Sequence, residues 1–216
     1  MKVRYTLKMK NSKIYTQDEV IYLNSGDIFD NCIFDDLDLK NVDLSDSVFT
    51  DCSFEKADLR GAKLNTCEFT QCNFSNAALM GCNFFSALFT ECKLLGTVLS
   101  QADSIIGSEF IRCNFDYADM RALDLSGYDF SHSSFIETDF SLANLERTLF
   151  VNSQFIQVNI HGAKLLMTDL RGATLQGISL KEDILKGIIL TPHQLEMLAQ
   201  EIGITILESD EKVKKS

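Results

Sequence analysis

The chain has 216 residues, 45% of them apolar, and carries 31 acidic against 20 basic residues for a formal net charge of −11. That balance suits a chain with a buried core and argues against a direct grip on nucleic acid, which needs basic groups to displace counterions; basic partners fit it better. One Pro, no Trp, 11 Gly and 16 Phe are too few turn formers for a protein of many loops, so something regular must take the place of loops.

Met1 to Lys10 alternates Val3, Tyr5, Leu7 and Met9 with Arg4, Thr6 and Lys8 and contains no apolar signal core. No apolar run reaches the roughly 18 residues of a membrane span. A cytoplasmic protein without membrane contact is the expectation. Residues 3–9 and 14–23 flank the turn signal Lys10, Asn11, Ser12, Lys13, which predicts a β-hairpin cap within residues 1–26. Seven cysteines, an odd number, argue against a disulfide framework.

From residue 27 to 190 an apolar residue recurs every fifth position, from Phe29, Phe34, Leu39 and Leu44 through Leu99, then after one extra residue from Phe110 to Leu190. On an α-helix a five-residue step turns about 500°, which smears the series around the cylinder. On a flat strand an odd step sends alternate members to opposite faces. Only a chain that turns a corner every five residues aims them all at one axis, so the pattern predicts an all-β solenoid. Thirteen of the 16 Phe fall in two columns of period 20, one through Phe29, Phe49 and Phe69 and its neighbour through Phe34, Phe54 and Phe74, which predicts four-sided coils with stacked rings. The residue two before each centre is small, as in Ala57, Ala62, Ala77 and Ala143. All seven cysteines share that column, where they read as small buried residues. The extra residue, near Asp103 to Gly107, reads as a bulge or a distorted corner.

Beyond the array, Thr191, Pro192, His193 and Gln194 read as N-cap, first-turn proline and capping-box partner of a short helix with Leu195, Leu198, Ala199 and Ile202 on one stripe and Gly203 as its stop. Residues 191–207 are expected to close the last coil. Ile204 and Ile206 exceed what a plug needs, so Leu195, Leu198, Ile202, Ile204 and Ile206 are the candidate contact of a two-fold homodimer. Residues 208–216 read as a frayed, charged, flexible tail.

No catalytic or cofactor motif stands out. His132, His161 and His193 fall on separate elements in no ligand or triad spacing, Cys67 and Cys72 lack a zinc spacing, and no phosphate-binding glycine loop is present. No metal, cofactor or enzymatic activity is expected.

Ala57-Asp58-Leu59-Arg60-Gly61, Ala143-Asn144-Leu145 and Thr168-Asp169-Leu170-Arg171-Gly172 resemble the unit of the pentapeptide-repeat family, whose fold is a right-handed quadrilateral β-helix. About eight such coils would make a rod on the order of 40 Å long. With the closing segment Leu198 to Ile204, the chain is similar to the Qnr quinolone-resistance proteins. That resemblance implies a rod that mimics B-form DNA, dimerises through its C-terminal end, and binds DNA gyrase or topoisomerase IV. The Qnr rods often carry projecting loops, whereas this array has a single extra residue.

Charge patterning bears on that implication. Residues 27–190 hold 24 acidic and 12 basic groups. The Phe29 side carries Asp27, Asp30, Asp51, Glu68, Glu91, Glu109, Asp129 and Asp169 against Arg112 and Arg171; the adjoining Phe34 side carries Asp35, Asp36, Glu55, Asp116 and Glu137 against Lys56 and Lys93. The other two sides are nearly balanced. These acids, Asp27 apart, are the expected partner-binding face. The rival expectation is a passive interaction scaffold whose partner is not a topoisomerase.

Overall fold

The protein is described by a computed structural model covering residues 9–178, 187–201, 203, 204 and 206. Every repeat centre from Phe29 to Leu170 is buried, while Leu175 and Leu190 are half-buried. The centres Leu180 and Leu185 lie outside the described residues. Strands β1 (Met9–Asn11), β2 (Ile28–Asp30), β3 (Val48–Thr50), β4 (Glu68–Thr70), β5 (Leu88–Thr90) and β6 (Glu109–Ile111) stack as one parallel sheet along the Phe29 side. Its register sets Phe29 beside Phe49, Phe69, Phe89 and Phe110. Farther down, β7 (Ser134–Ile136), β8 (Gln154–Ile156) and β9 (Thr174–Gln176) form a second parallel sheet on the Phe34 side. Single bridges between residues 20 apart, such as Asp58 to Ala78 and Asp124 to Asn144, hold much of the rest.

The phenylalanine columns fill much of this core. Within a column the rings stack, Phe29 on Phe49 at 4.7 Å and Phe34 on Phe54 at 4.8 Å between centroids. Across columns they meet edge to face, as Phe29 and Phe34 do at 5.4 Å and 79°. Both geometries suit the quadrupole of an aromatic ring. The small column beside them does polar work as well. Thr168 and Ser108 hydroxyls donate to the carbonyls of Leu145 and Phe84, and the Cys67 thiol donates to that of Leu44. Ala, Cys, Ser and Thr recur there because each is small, and the last three quiet a carbonyl of the coil above.

Apart from the turn at 99–101, the corners of the coils each place one residue at positive φ, for example Asp36 at 58° and Gly61 at 69°. Through most of the rod the same residue donates its N–H to the next coil, as Asp36 does to the Glu55 carbonyl. Proline can do neither, since its φ is negative and it has no N–H, which accounts for its near absence. At Gly61 and Gly172 a Cβ would collide with the side-chain oxygens of Asn41 and Asn152 directly above.

Two expectations need correction. The segment 14–23 is not the second strand of a hairpin: Ile14 bridges Ile33 in parallel, and Gln17–Tyr22 is a 3-10 helix. Residues 3–8 of the expected first strand lie outside the described residues, and β1 runs parallel to β2. The N-terminal segment therefore begins the winding of the solenoid, because its backbone finds the same parallel partners as every later coil.

The extra residue is also elsewhere than expected. Leu99–Gln101 form a 3-10 turn that absorbs it, and Ile105 fills the next inward position, buried like any other centre. Below this turn the ladder opens. No backbone hydrogen bond joins residues 103–111 to residues 123–131, although the equivalent amides of neighbouring coils all donate across. The small column holds Leu123 and Tyr128 at this level, both partly buried against the core. Tyr128 donates its hydroxyl to the Ile105 carbonyl across the gap, and the Ser133 hydroxyl accepts the Cys113 N–H. Two large side chains where Ala or Cys usually sits hold the coils apart along two sides, while the Phe34 side remains joined through Ser134 to Cys113.

Candidate partner-binding face

The corner and mid-strand positions that flank each buried centre point outward, so a side of the rod is a ladder of such residues one coil apart. Along the two sides expected to bind, Asp36, Asp51, Glu68, Glu91, Glu109, Asp129 and Glu137 are exposed, and Asp30 is half-buried. Glu91 accepts at one oxygen, Oε1, from both Nε and Nη2 of Arg112, and Glu55 lies beside Lys56. The remaining exposed carboxylates there have no ion-pair partner among the described residues.

Three of the expected acids serve the fold instead. Asp169 is 4% exposed and clamped by Arg171, whose guanidinium holds its carboxyl below the usual carboxylate range. Asp116 is 8% exposed and accepts from the Ser134 hydroxyl and the Ile136 N–H. Half-buried Asp35 repeats that pattern with Ser53 and the Glu55 N–H. A spacing of five cannot separate these roles. A Ser 18 residues later marks Asp35 and Asp116, and an Arg two residues later marks Asp169.

The other two sides neutralise much of their charge internally. Arg60 holds Asp58, Lys40 reaches both Asp38 and Asp58, Lys63 reaches Asp43, and Arg121 holds Asp119. Each of these carboxyls is held below its ordinary pKa, chiefly by its basic partner and, for Asp43, first by the Ser45 hydroxyl. Among the described residues no three His, Cys, Asp or Glu side chains gather where a metal ion could be held. No helix there is long and apolar enough to cross a membrane.

At the C-terminal end, helix α1 (Pro192–Glu201) starts as the sequence predicts: the Gln194 side chain accepts from the Thr191 N–H, and the Gln194 N–H donates to the Thr191 hydroxyl. Gln194 also caps the rod. It is buried and donates to the carbonyls of Leu170 and Ala173. Of the candidate dimer contacts, Leu195, Ile204 and Ile206 are exposed, Leu198 is half-buried, and Ile202 lies outside the described residues. Met197, unmarked by the helical stripe, is exposed as well.

Comparison with known proteins agrees with this geometry. One family model, pentapeptide repeat region, matches residues 28–99, and a second, pentapeptide repeats in eight copies, matches residues 108–147 and 138–177. No curated protein sequence matches the chain. Among solved structures, two trypsin-treated variants of QnrB1, a plasmid-mediated fluoroquinolone resistance protein, superpose with TM-scores of 0.70 and 0.62 at 18% identity, covering 93% of this chain and 98% of theirs. Full-length QnrB1 superposes at 0.54 with 17% identity, covering 91% and 97%. By its repeat unit, its four-sided coils and these matches, the chain belongs to the pentapeptide-repeat family.

Proposed function

We propose that this protein is a non-catalytic, DNA-mimicking ligand of type II topoisomerases, DNA gyrase and topoisomerase IV, and that it protects them from quinolones. The observation that carries the reading is the one-sided charge: two adjoining sides of the rod hold 13 acidic against four basic groups, with seven of the acids exposed, and the other two sides hold 11 against eight. A basic saddle that binds DNA is steered toward such a surface. Duplex DNA carries one charge per roughly 1.7 Å, far denser than that net of nine along a rod on the order of 40 Å, so the mimicry is of shape and sign. The fold shared with QnrB1 supports the same reading. The second copy of a homodimer would cover Leu195, Met197, Ile204 and Ile206 at the C-terminal end.

The test is gyrase supercoiling with and without ciprofloxacin. Supercoiling restored in the presence of drug supports protection, and inhibition without rescue supports mimicry alone. No effect at micromolar protein removes the topoisomerase from the reading and leaves an interaction scaffold with another partner. Truncation before Thr191 should give monomer by light scattering.

A further inference from the structure

The opening between residues 103–111 and 123–131 leaves a cavity of about 650 Å³ on the acidic side of the rod, lined by β6 above and by Tyr128 to His132 below. Strand β6 is the last of its sheet, and the N–H groups of Phe110 and Arg112 have no backbone acceptor across the gap. The amide of Asp129 on the facing rim is also free of a backbone partner. Elsewhere in the rod such groups pair with the neighbouring coil; here the rings still stack, Phe110 on Phe130 at 5.8 Å, while the main chains have parted, so β6 keeps an unpaired backbone edge at the surface. A free edge of this kind templates the addition of a strand. Its walls choose the strand: Glu109 projects from the upper rim and Asp129 from the lower, and Arg112 is engaged by Glu91.

We infer that this fissure docks an extended, basic peptide segment of a partner protein, which adds to the edge of β6 through its main chain and places Arg or Lys side chains against Glu109 and Asp129. The main chain answers the free N–H and carbonyl groups, and the guanidinium or ammonium groups answer the carboxylates. The inference goes beyond the topoisomerase reading, since any partner offering such a segment would bind.

A test that needs no topoisomerase uses amide NMR of the 15N-labelled full chain titrated with three capped pentapeptides. The first alternates arginine and valine, the second alternates glutamate and valine, and the third is the arginine peptide with its backbone amides methylated. Saturable shifts centred on Phe110, Arg112 and Asp129 with the first alone support the inference. Binding of the methylated peptide as tight as that of its parent would rule out strand addition. Shifts spread evenly along the acidic sides, or none, would rule out the site. The double variant Glu109→Gln, Asp129→Asn changes only exposed side chains and should bind the arginine peptide about tenfold more weakly; unchanged affinity would also overturn the inference. Failure of the wild-type protein to bind gyrase while it binds the arginine peptide would refute the topoisomerase reading alone.

Discussion

At the scale of single residues, the core leaves its cysteines chemically silent. Burial pushes the Cys67 thiol up to about 12, and all seven sulfurs sit in the packed interior. A sulfur packed in the interior cannot meet a reagent in solution, whatever its proton affinity. Native protein should therefore give no fast reaction with Ellman's reagent at pH 8, and seven equivalents should appear on unfolding in urea. Fast labelling of even one equivalent in the native state would contradict the packing of that column. The surface aspartates make a different prediction. Asp38, Asp43, Asp58, Asp119 and Asp169 have carboxyls held below the ordinary value near 3.9. A carboxyl depressed in the folded state stabilises above its unfolded pKa, and that stability is lost as pH falls through the folded value. Thermal stability should stay level from pH 8 to 5 and decline below about pH 4. Most of these pairs are exposed, so each contributes little, and Asp58→Asn should flatten the decline more than Asp38→Asn because Asp58 is half-buried and held by both Arg60 and Lys40, whereas Asp38 is exposed.

At the scale of elements, Gln194 is where helix and rod meet. Replacing it with Ala leaves the Ala173 carbonyl without a donor and that of Leu170 with the Ala173 N–H alone, and it removes the acceptor of the Thr191 and Gly172 N–H groups. A buried polar group left unpaired costs about 1–3 kcal/mol. Gln194→Ala should lower stability by about 3 kcal/mol in urea titration, with the loss of helical signal preceding that of the sheet. Simultaneous loss of both signals would mean that α1 is not a separate lid. The capping role of Gln194 was legible from its place three residues after Thr191. Its second role was not, because the carbonyls that it serves lie 21 and 24 residues away and belong to the geometry of the last coil. Periodicity likewise exposed every centre from Phe29 to Leu170, since burial at each corner is what the spacing of five encodes. It could not place the extra residue: Leu99 and Ile105 are both inward, and either side of Ala102 satisfies the spacing. The spacing of five does not mark Tyr128, and only the coil above it shows what a ring there displaces.

At the scale of the whole molecule, a solenoid is a chain of nearest-neighbour interfaces, and its cooperativity is that of its weakest one. Six amides that pair in neighbouring coils, those of Ile105, Gly107, Phe110, Arg112, Asp124 and Asp129, have no backbone partner at the fissure. At a net of about 1 kcal/mol for each bond, that interface gives up on the order of 5 kcal/mol relative to its neighbours. The loss is partly offset by the Tyr128 hydroxyl and by the joined Phe34 side. The coils above the fissure also hold the tighter ring stacks, near 4.9 Å, against 5.7 Å for Phe130 on Phe150 below it. The rod should therefore open in two stages. Hydrogen exchange at increasing urea should release amides of residues 130–170 as one group while those of residues 28–100 remain protected. Tyr128→Ala, which returns the column to its usual size, should bring the two groups closer together and slow exchange at Phe110 and Arg112. A single free energy of opening shared by both halves of the wild-type protein would show that the two intact sides couple the coils fully, and the fissure would then be a surface feature without mechanical consequence.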